Sequence, residues 1–419
     1  MSQVLHFQGL FNKEFLGLMS QPQLLYAYFE IRPNRAAATS HAPLNFSLLL
    51  DRSGSMSGEK IKHLREAVKR VLDQLQPEDF VSLIAFNTKT ELLAAATSAA
   101  HKENLKNKID RLKADGGTDI GPAMKVGLGE IHKVATPDKI NRLILLTDGE
   151  TNNEKECQRQ ADEAGRQGVP IIALGLGTDW NETLLEDLVA RGGANGYADL
   201  IKRPEDVAGI FQEVLNQMKV VAQDLAFRLL LVQGVEARRV WQVSPLIKDI
   251  SFGTIQGRTV AVSLPELAES GAAFLIELLI PPRNAGSYRF AQAEIGYNVP
   301  TQRLMDQKER INLMAEVTPD PMKLNQVNGT VMNIVEKVTA FRLQTQALDD
   351  AAAGNIAGAT QKLRAAHTRL LEQGELELAQ TVLTEARRLE QGHGLSNEGR
   401  KTMKLQSRKT VKLSEDDTP

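Results

Sequence analysis

Asp51, Ser53, Ser55 and Ser57 place one carboxylate and three hydroxyls within the seven residues Asp51-Arg52-Ser53-Gly54-Ser55-Met56-Ser57. Oxygen donors of this kind, with no His or Cys beside them, suit a hard cation such as Mg²⁺. The stretch follows Leu44-Asn45-Phe46-Ser47-Leu48-Leu49-Leu50, a near-continuous apolar run that predicts a strand buried on both faces. Residues 60–75 then carry Ile61, Leu64, Val68, Val71, Leu72 and Leu75 at helical spacing. The oxygens therefore fall on a turn at the carboxyl end of a strand, where open α/β sheets bind their ligands.

Two further stretches have the same character. The apolar run 141–146 ends in Thr147-Asp148-Gly149-Glu150, and Asp115-Gly116-Gly117-Thr118-Asp119-Ile120-Gly121-Pro122 is a glycine-rich loop opening a helix. Asp51-x-Ser53-x-Ser55, then Thr118, then Asp148, each at a strand end or loop, resembles a von Willebrand factor type A domain with its metal-ion-dependent adhesion site. The resemblance covers residues 42–220, about half of the chain. It implies that the Ser53, Ser55 and Thr118 hydroxyls hold Mg²⁺ directly, with Mn²⁺ or Ca²⁺ as substitutes. Asp51 and Asp148 would bind directly or through water. Neutral hydroxyls with only two carboxylates leave such a cation electron-poor, so a partner protein's acidic residue can supply the last ligand. Without a cation, two carboxylates roughly 4 Å apart repel by about 4 kcal/mol at an effective dielectric of 20. Asp119 is read as either an outer support of the site or a helix cap, and Arg52 as pointing outward toward the ligand.

Other chemistries find less support. Ser57-Gly58-Glu59-Lys60 matches S-x-x-K, but the S-D-N and K-T-G companions of that motif are missing. No G-x-x-x-x-G-K-[ST] is present. A Mg²⁺-dependent hydrolase would need a base beside Asp51, for which only Asp119 or Glu150 is available. The reading is of a binding protein, not an enzyme.

The elements that must position these residues follow from pattern and composition. The 419 residues call for two or three domains. At 42% hydrophobic and 24% charged, with a net charge of −2, the chain has no global field for nucleic acid or a membrane surface. No apolar run is long enough to span a bilayer, and no signal peptide is evident. The single cysteine, Cys157, reads as an inert thiol, and with these absences it points to the cytoplasm of a bacterium. Residues 42–220 alternate strand and helix, which predicts a doubly wound, mostly parallel sheet. Residues 1–41 carry strands that need a sheet elsewhere. Residues 221–303 show strands without helices and are read as an antiparallel β-sandwich that the N-terminal strands join. Residues 304–395 are read as a helical hairpin or bundle, and 396–419 as a disordered tail.

That tail repeats Arg400-Lys401-Thr402-Met403-Lys404-Leu405 as Arg408-Lys409-Thr410-Val411-Lys412-Leu413. Thr402 and Thr410 are thus candidate phosphorylation sites for a phosphothreonine-binding domain. The partners expected are a protein supplying an acidic residue to the metal, with an AAA-type ATPase machine or a phosphothreonine reader as alternatives.

Overall fold

The computed structural model describes residues 4–34, 42–136, 138–148, 151, 153–177, 181–193, 196–201, 203–302 and 304–409. In chain order the strands are β1 (Leu5–Phe11), β2 (Phe15–Gly17), β3 (Gln23–Pro33), β4 (Leu44–Asp51), β5 (Phe80–Phe86), β6 (Thr90–Ser98), β7 (Ile140–Thr147), β8 (Ile171–Leu176) and β9 (Tyr197–Ile201). There follow β10 (Val220–Leu231), β11 (Glu236–Ser244), β12 (Lys248–Asp249), β13 (Ile255–Gln256), β14 (Thr259–Ala268), β15 (Ala272–Ile280), β16 (Gly286–Val299) and β17 (Leu304–Thr318). The chain divides into two units, one of residues 40–221 and one of residues 1–39 with 222–419.

The 40–221 unit is a six-stranded sheet in the order β6-β5-β4-β7-β8-β9. β4 runs parallel to both β5 and β7, and only the edge strand β6 is antiparallel. The chain leaves β4 toward one side, for β5, and returns to its other side as β7. The carboxyl end of β4 is therefore a topological switch point. Helix Glu59–Gln74 covers one face through Ile61, Leu64, Val68, Val71 and Leu72, against Phe46, Leu48 and Leu50 of β4. Each such buried side chain is worth about 1.5–3 kcal/mol.

The opposite face of β4 carries the polar pair Asn45 and Ser47, yet both are buried. Their hydrogen bonds go to helix Ile120–Val134: Asn45 Nδ2 donates to Ile131 O at 2.9 Å and Ser47 Oγ to Gly127 O at 2.8 Å. This approach requires glycine, since a Cβ at Gly127 would lie 2.8 Å from Leu143 Cδ1 and 2.9 Å from Leu49 Cδ1. The helix that begins at the Thr118 loop is thereby seated directly on the strand that ends at Asp51.

The second unit contains two largely antiparallel sheets, β1-β3-β15-β11-β12 and β13-β14-β10-β16-β17-β2. Aromatic rings join them: Phe227 of β10 lies 4.9 Å from Phe29 of β3 and 5.1 Å from Phe274 of β15, centroid to centroid. Residues 304–318, expected to be helical, form β17 instead. Its first half is polar and gives no strand alternation. It is held by the ladder to β16 and by cross-strand pairs such as Tyr297 with Glu309 and Arg310 with Glu294. Helix Gly329–Ala352 packs Val331, Ile334, Val335 and Val338 against Tyr28, Trp241 and Leu275. Helices Ile356–Glu372 and Leu376–Glu390 follow it.

The expected disorder of 396–419 is corrected for residues 396–409, and 410–419 lie outside the described residues. Asn397–Gln406 is a helix capped by Ser396, with Met403 and Leu405 buried, and Thr402 is only 1% exposed. Only those two apolar residues face inward, so no periodicity announces the helix. It docks instead through Gly399 over Glu385, which accepts from Ser396 N at 2.7 Å. A threonine so buried is closed to a kinase. Thr410 lies outside the described residues.

Candidate metal site

β4 delivers Asp51 to its carboxyl end with the side chain fully buried. Asp51 Oδ1 accepts from Ser53 N at 2.8 Å and Oδ2 from Thr147 Oγ1 at 2.5 Å, so β7 steadies the carboxylate of β4. Burial pushes the Asp51 carboxyl above its ordinary range. Hydrogen bonds from Ser53 and Thr147 pull the other way, and the charge of Asp148 adds to the rise. Ser53 Oγ and Ser55 Oγ are 3.0 Å apart, and Ser55 Oγ donates to Asp148 Oδ1 at 2.7 Å. The remaining oxygen, Asp148 Oδ2, accepts from Lys60 Nζ at 2.5 Å. Asp51, Ser53, Ser55 and Asp148 thus form one continuous chain of polar contacts.

Thr118 reaches the same neighbourhood through backbone ties. Gly54 N donates to Gly116 O at 2.9 Å, Asp115 N to Arg52 O at 2.8 Å, and Asp119 N to Asn87 O at 2.8 Å. The Thr118 side chain makes no hydrogen bond to a described residue and is 8% exposed. Asp119 precedes helix Ile120–Val134 but makes no side-chain cap, and its Oδ1 is buried without a partner. Arg52 does not reach outward as expected: it pairs with Asp115 at 2.8 Å and Glu91 at 3.4 Å, which locks the turn to its neighbours. Cys157 is buried, and burial pushes its thiol up to about 11, as an inert thiol requires.

The donor set fits a hard divalent cation. Its atoms are carboxylate and hydroxyl oxygens from separate loops, two of the carboxylates are desolvated, and Asp119 leaves one further oxygen unmet. Among the described residues no group of three or more His, Cys, Asp or Glu side chains comes together to hold a metal ion, here or elsewhere, so this site relies on hydroxyl oxygens beside its carboxylates. Lys60 and Thr147 are the participants that motif reading passes over. Thr147 could be found as the residue before Asp148 on its strand. Lys60 lies inside the dismissed S-x-x-K match, on the first turn of the helix that follows the motif.

Residues 45–213 match the family described as von Willebrand factor type A domain, and 329–413 the one described as Sll0103-like, C-terminal alpha-helical domain. The uncharacterized protein sll0103 of Synechocystis sp. is 28% identical over 380 residues, 88% of either chain. Inter-alpha-trypsin inhibitor heavy chain H4 of Bos taurus is 31% identical over 195 residues, which are 43% of this chain but only 21% of that one. A structure of von Willebrand factor type A from Catenulispora acidiphila superposes with a TM-score of 0.69 at 21% identity, covering 98% of both chains. Von Willebrand factor type A domains bind a divalent metal at this motif and mediate protein–protein interaction. The stretch from 45 to 213 is a von Willebrand factor type A domain, and over nearly its whole length the chain shares the fold of the Catenulispora acidiphila structure.

Proposed function

We propose that the protein is a binding module that captures a partner protein's carboxylate through Mg²⁺ held by Asp51, Ser53, Ser55, Thr118 and Asp148. The observation that carries this is the linked run Asp51–Ser53–Ser55–Asp148 at the carboxyl end of the switch-point strand. Bound there, the cation would supply a Lewis-acidic position for an incoming anion. The chain's own residues prepare the place. Thr147 and Ser53 N orient Asp51. Ser55 spends its proton on Asp148 and accepts from Ser53, which leaves one hydroxyl lone pair for a cation. Lys60 offsets one of the two carboxylate charges.

A binding role suits this arrangement better than hydrolysis. Of the two carboxylates that could serve as a base, Asp119 has its Oδ1 buried, and Glu150 lies outside the described residues. No helix among the described residues is long and apolar enough to cross a membrane. That feature and the lone buried thiol support a cytoplasmic setting.

Titration calorimetry of the full chain with MgCl₂ tests the reading. Wild type should bind one equivalent, and the Asp51→Ala, Thr118→Ala double variant none. Full affinity in the double variant would place the metal elsewhere.

A further inference from the structure

The repeat of Arg400–Leu405 as residues 408–413 has one copy inside the described residues and one at their edge. In the first copy Met403 and Leu405 are 0% and 3% exposed. The second carries Val411 and Leu413 at the matching positions. Lys409 is the last described residue. The helical domain matched at 329–413 takes in residues 410–413, so that domain has two more apolar side chains to place.

A groove of about 430 Å³ lies where those residues begin. Its lining includes Gln406, Ser407 and Lys409, residues of helix Gly329–Ala352, and the turn before helix Leu376–Glu390. The chain is pinned beside it. Ile247, itself in the lining, donates its N–H to Arg408 O at 2.8 Å, and Leu246 forms an antiparallel bridge with Lys409. Four residues beyond Lys409 reach about 13 Å when extended, so they can enter the groove without moving the described chain.

The groove offers both apolar and acidic surface. Leu376 is 65% exposed and Phe341 is partly exposed. Glu375 and Glu377 flank Leu376 and also line the groove. Successive side chains of an extended segment point to opposite sides. Val411 and Leu413 therefore share one side, and Lys412 lies on the other.

We propose that residues 410–413 are the occupant of this groove, seated as an extended segment. Val411 and Leu413 turn inward to Leu376 and Phe341, and Lys412 turns outward to Glu375 and Glu377. A segment tethered at Lys409 has an effective concentration on the order of millimolar, so a weak contact is enough to keep it seated. While it stays, the groove is closed to other peptides. The site is separate from the metal motif and does not depend on that reading.

The test uses the full chain and reads proximity directly. With Leu413→Cys and Leu376→Cys together, oxidation by diamide should close an intramolecular disulfide. It should form about tenfold faster than with Leu413→Cys and Leu371→Cys, since Leu371 is 46% exposed but outside the lining. Buried Cys157 takes no part. Adding Val411→Asp should remove the difference. A fluorescein-labelled peptide of residues 408–413 should bind a Val411→Asp, Leu413→Asp chain about tenfold more tightly than wild type, whose groove is filled. Leu376→Glu in that chain should weaken the peptide again. Leu376 is exposed, so its replacement keeps the fold, which circular dichroism checks. Equal disulfide rates at 376 and 371 would overturn the proposal. So would a disulfide joining two chains, which would make a second copy the occupant, or equal peptide binding to wild type and the double variant.

Discussion

Each oxygen of Asp148 answers to a different proton, one from Ser55 and one from Lys60. Asp51 is held only by neutral donors, Ser53 N and Thr147 Oγ1, within a fully buried position. The two carboxylates of the motif are therefore not equivalent, which their matching places at strand ends conceal. From sequence alone, Asp148→Ala is expected to relieve repulsion and Asp51→Ala to leave the metal-free fold intact. In the folded chain only Asp51 lacks a cationic partner. Asp51→Asn should raise the melting temperature in EDTA by a few degrees. Asp148→Ala should lower it, since Lys60 loses its carboxylate. Both should abolish the stabilisation by Mg²⁺, which for wild type is about 2.7 kcal/mol at a hundredfold excess over Kd. Lys60→Gln should act in the opposite direction on the metal. With the ammonium gone from Asp148, Mg²⁺ should bind about tenfold more tightly. Calorimetry on these three variants separates the roles, and an unchanged Mg²⁺ affinity in Lys60→Gln would make that lysine a surface ion pair only.

Helix Asn397–Gln406 depends on a contact made by a residue with no side chain. A Cβ at Gly399 would lie 2.3 Å from Glu385 Cδ, and Glu385 also accepts from both Ser396 N and Ser396 Oγ. Gly399→Ala should therefore cost about 1–3 kcal/mol by overpacking and expose the end of the chain to proteolysis, read by limited trypsin digestion and thermal melting. Thr402→Glu should do the same, because it places a charge at a site 1% exposed. Elements of this kind were the hard ones to read. β4, β5, β7 and β8 are legible because strands buried on both faces leave long apolar runs. Asp51, Ser53, Ser55, Thr118 and Asp148 stand out as candidate ligands because each lies just after such a run or before a helix. The first half of β17 hides because its neighbours on β16 supply the order that its own residues do not encode. The last helix hides because glycine, threonine and a lysine stem fill the places where leucine would mark a core face. Lys60 hides because a single charge on a helix has no pattern at all.

The chain visits one set of sheets twice. β3 lies between β1 and β15, giving hydrogen bonds to both, before the chain enters the α/β unit; β15 is reached only after it. Residues 23–33 are thus an interior strand of a sheet whose members β11, β12 and β15 are made some 200 residues later, and Phe29 belongs to the ring cluster that joins the two sheets. Without β1 and β3, β15 becomes an open edge carrying Phe274, Leu275 and Ile276, and the cluster loses Phe7 and Phe29. Exposed apolar edges of this length invite strand pairing between chains. The α/β unit has a different standing: all six of its strands, β4 to β9, come from one continuous segment, and both faces of the sheet are covered from within it. A fragment of residues 42–220 should therefore fold cooperatively, with a single thermal transition and its own Mg²⁺-dependent shift. A fragment of residues 222–409 should aggregate when expressed alone, and co-expression with residues 1–34 should return it to solution as a complex, since the missing strands then pair in trans. Size-exclusion chromatography and circular dichroism decide the matter. A soluble, cooperatively melting 222–409 fragment would mean that helix Gly329–Ala352 and its successors hold the sheets without the N-terminal strands, and the dependence argued from β3 would be wrong.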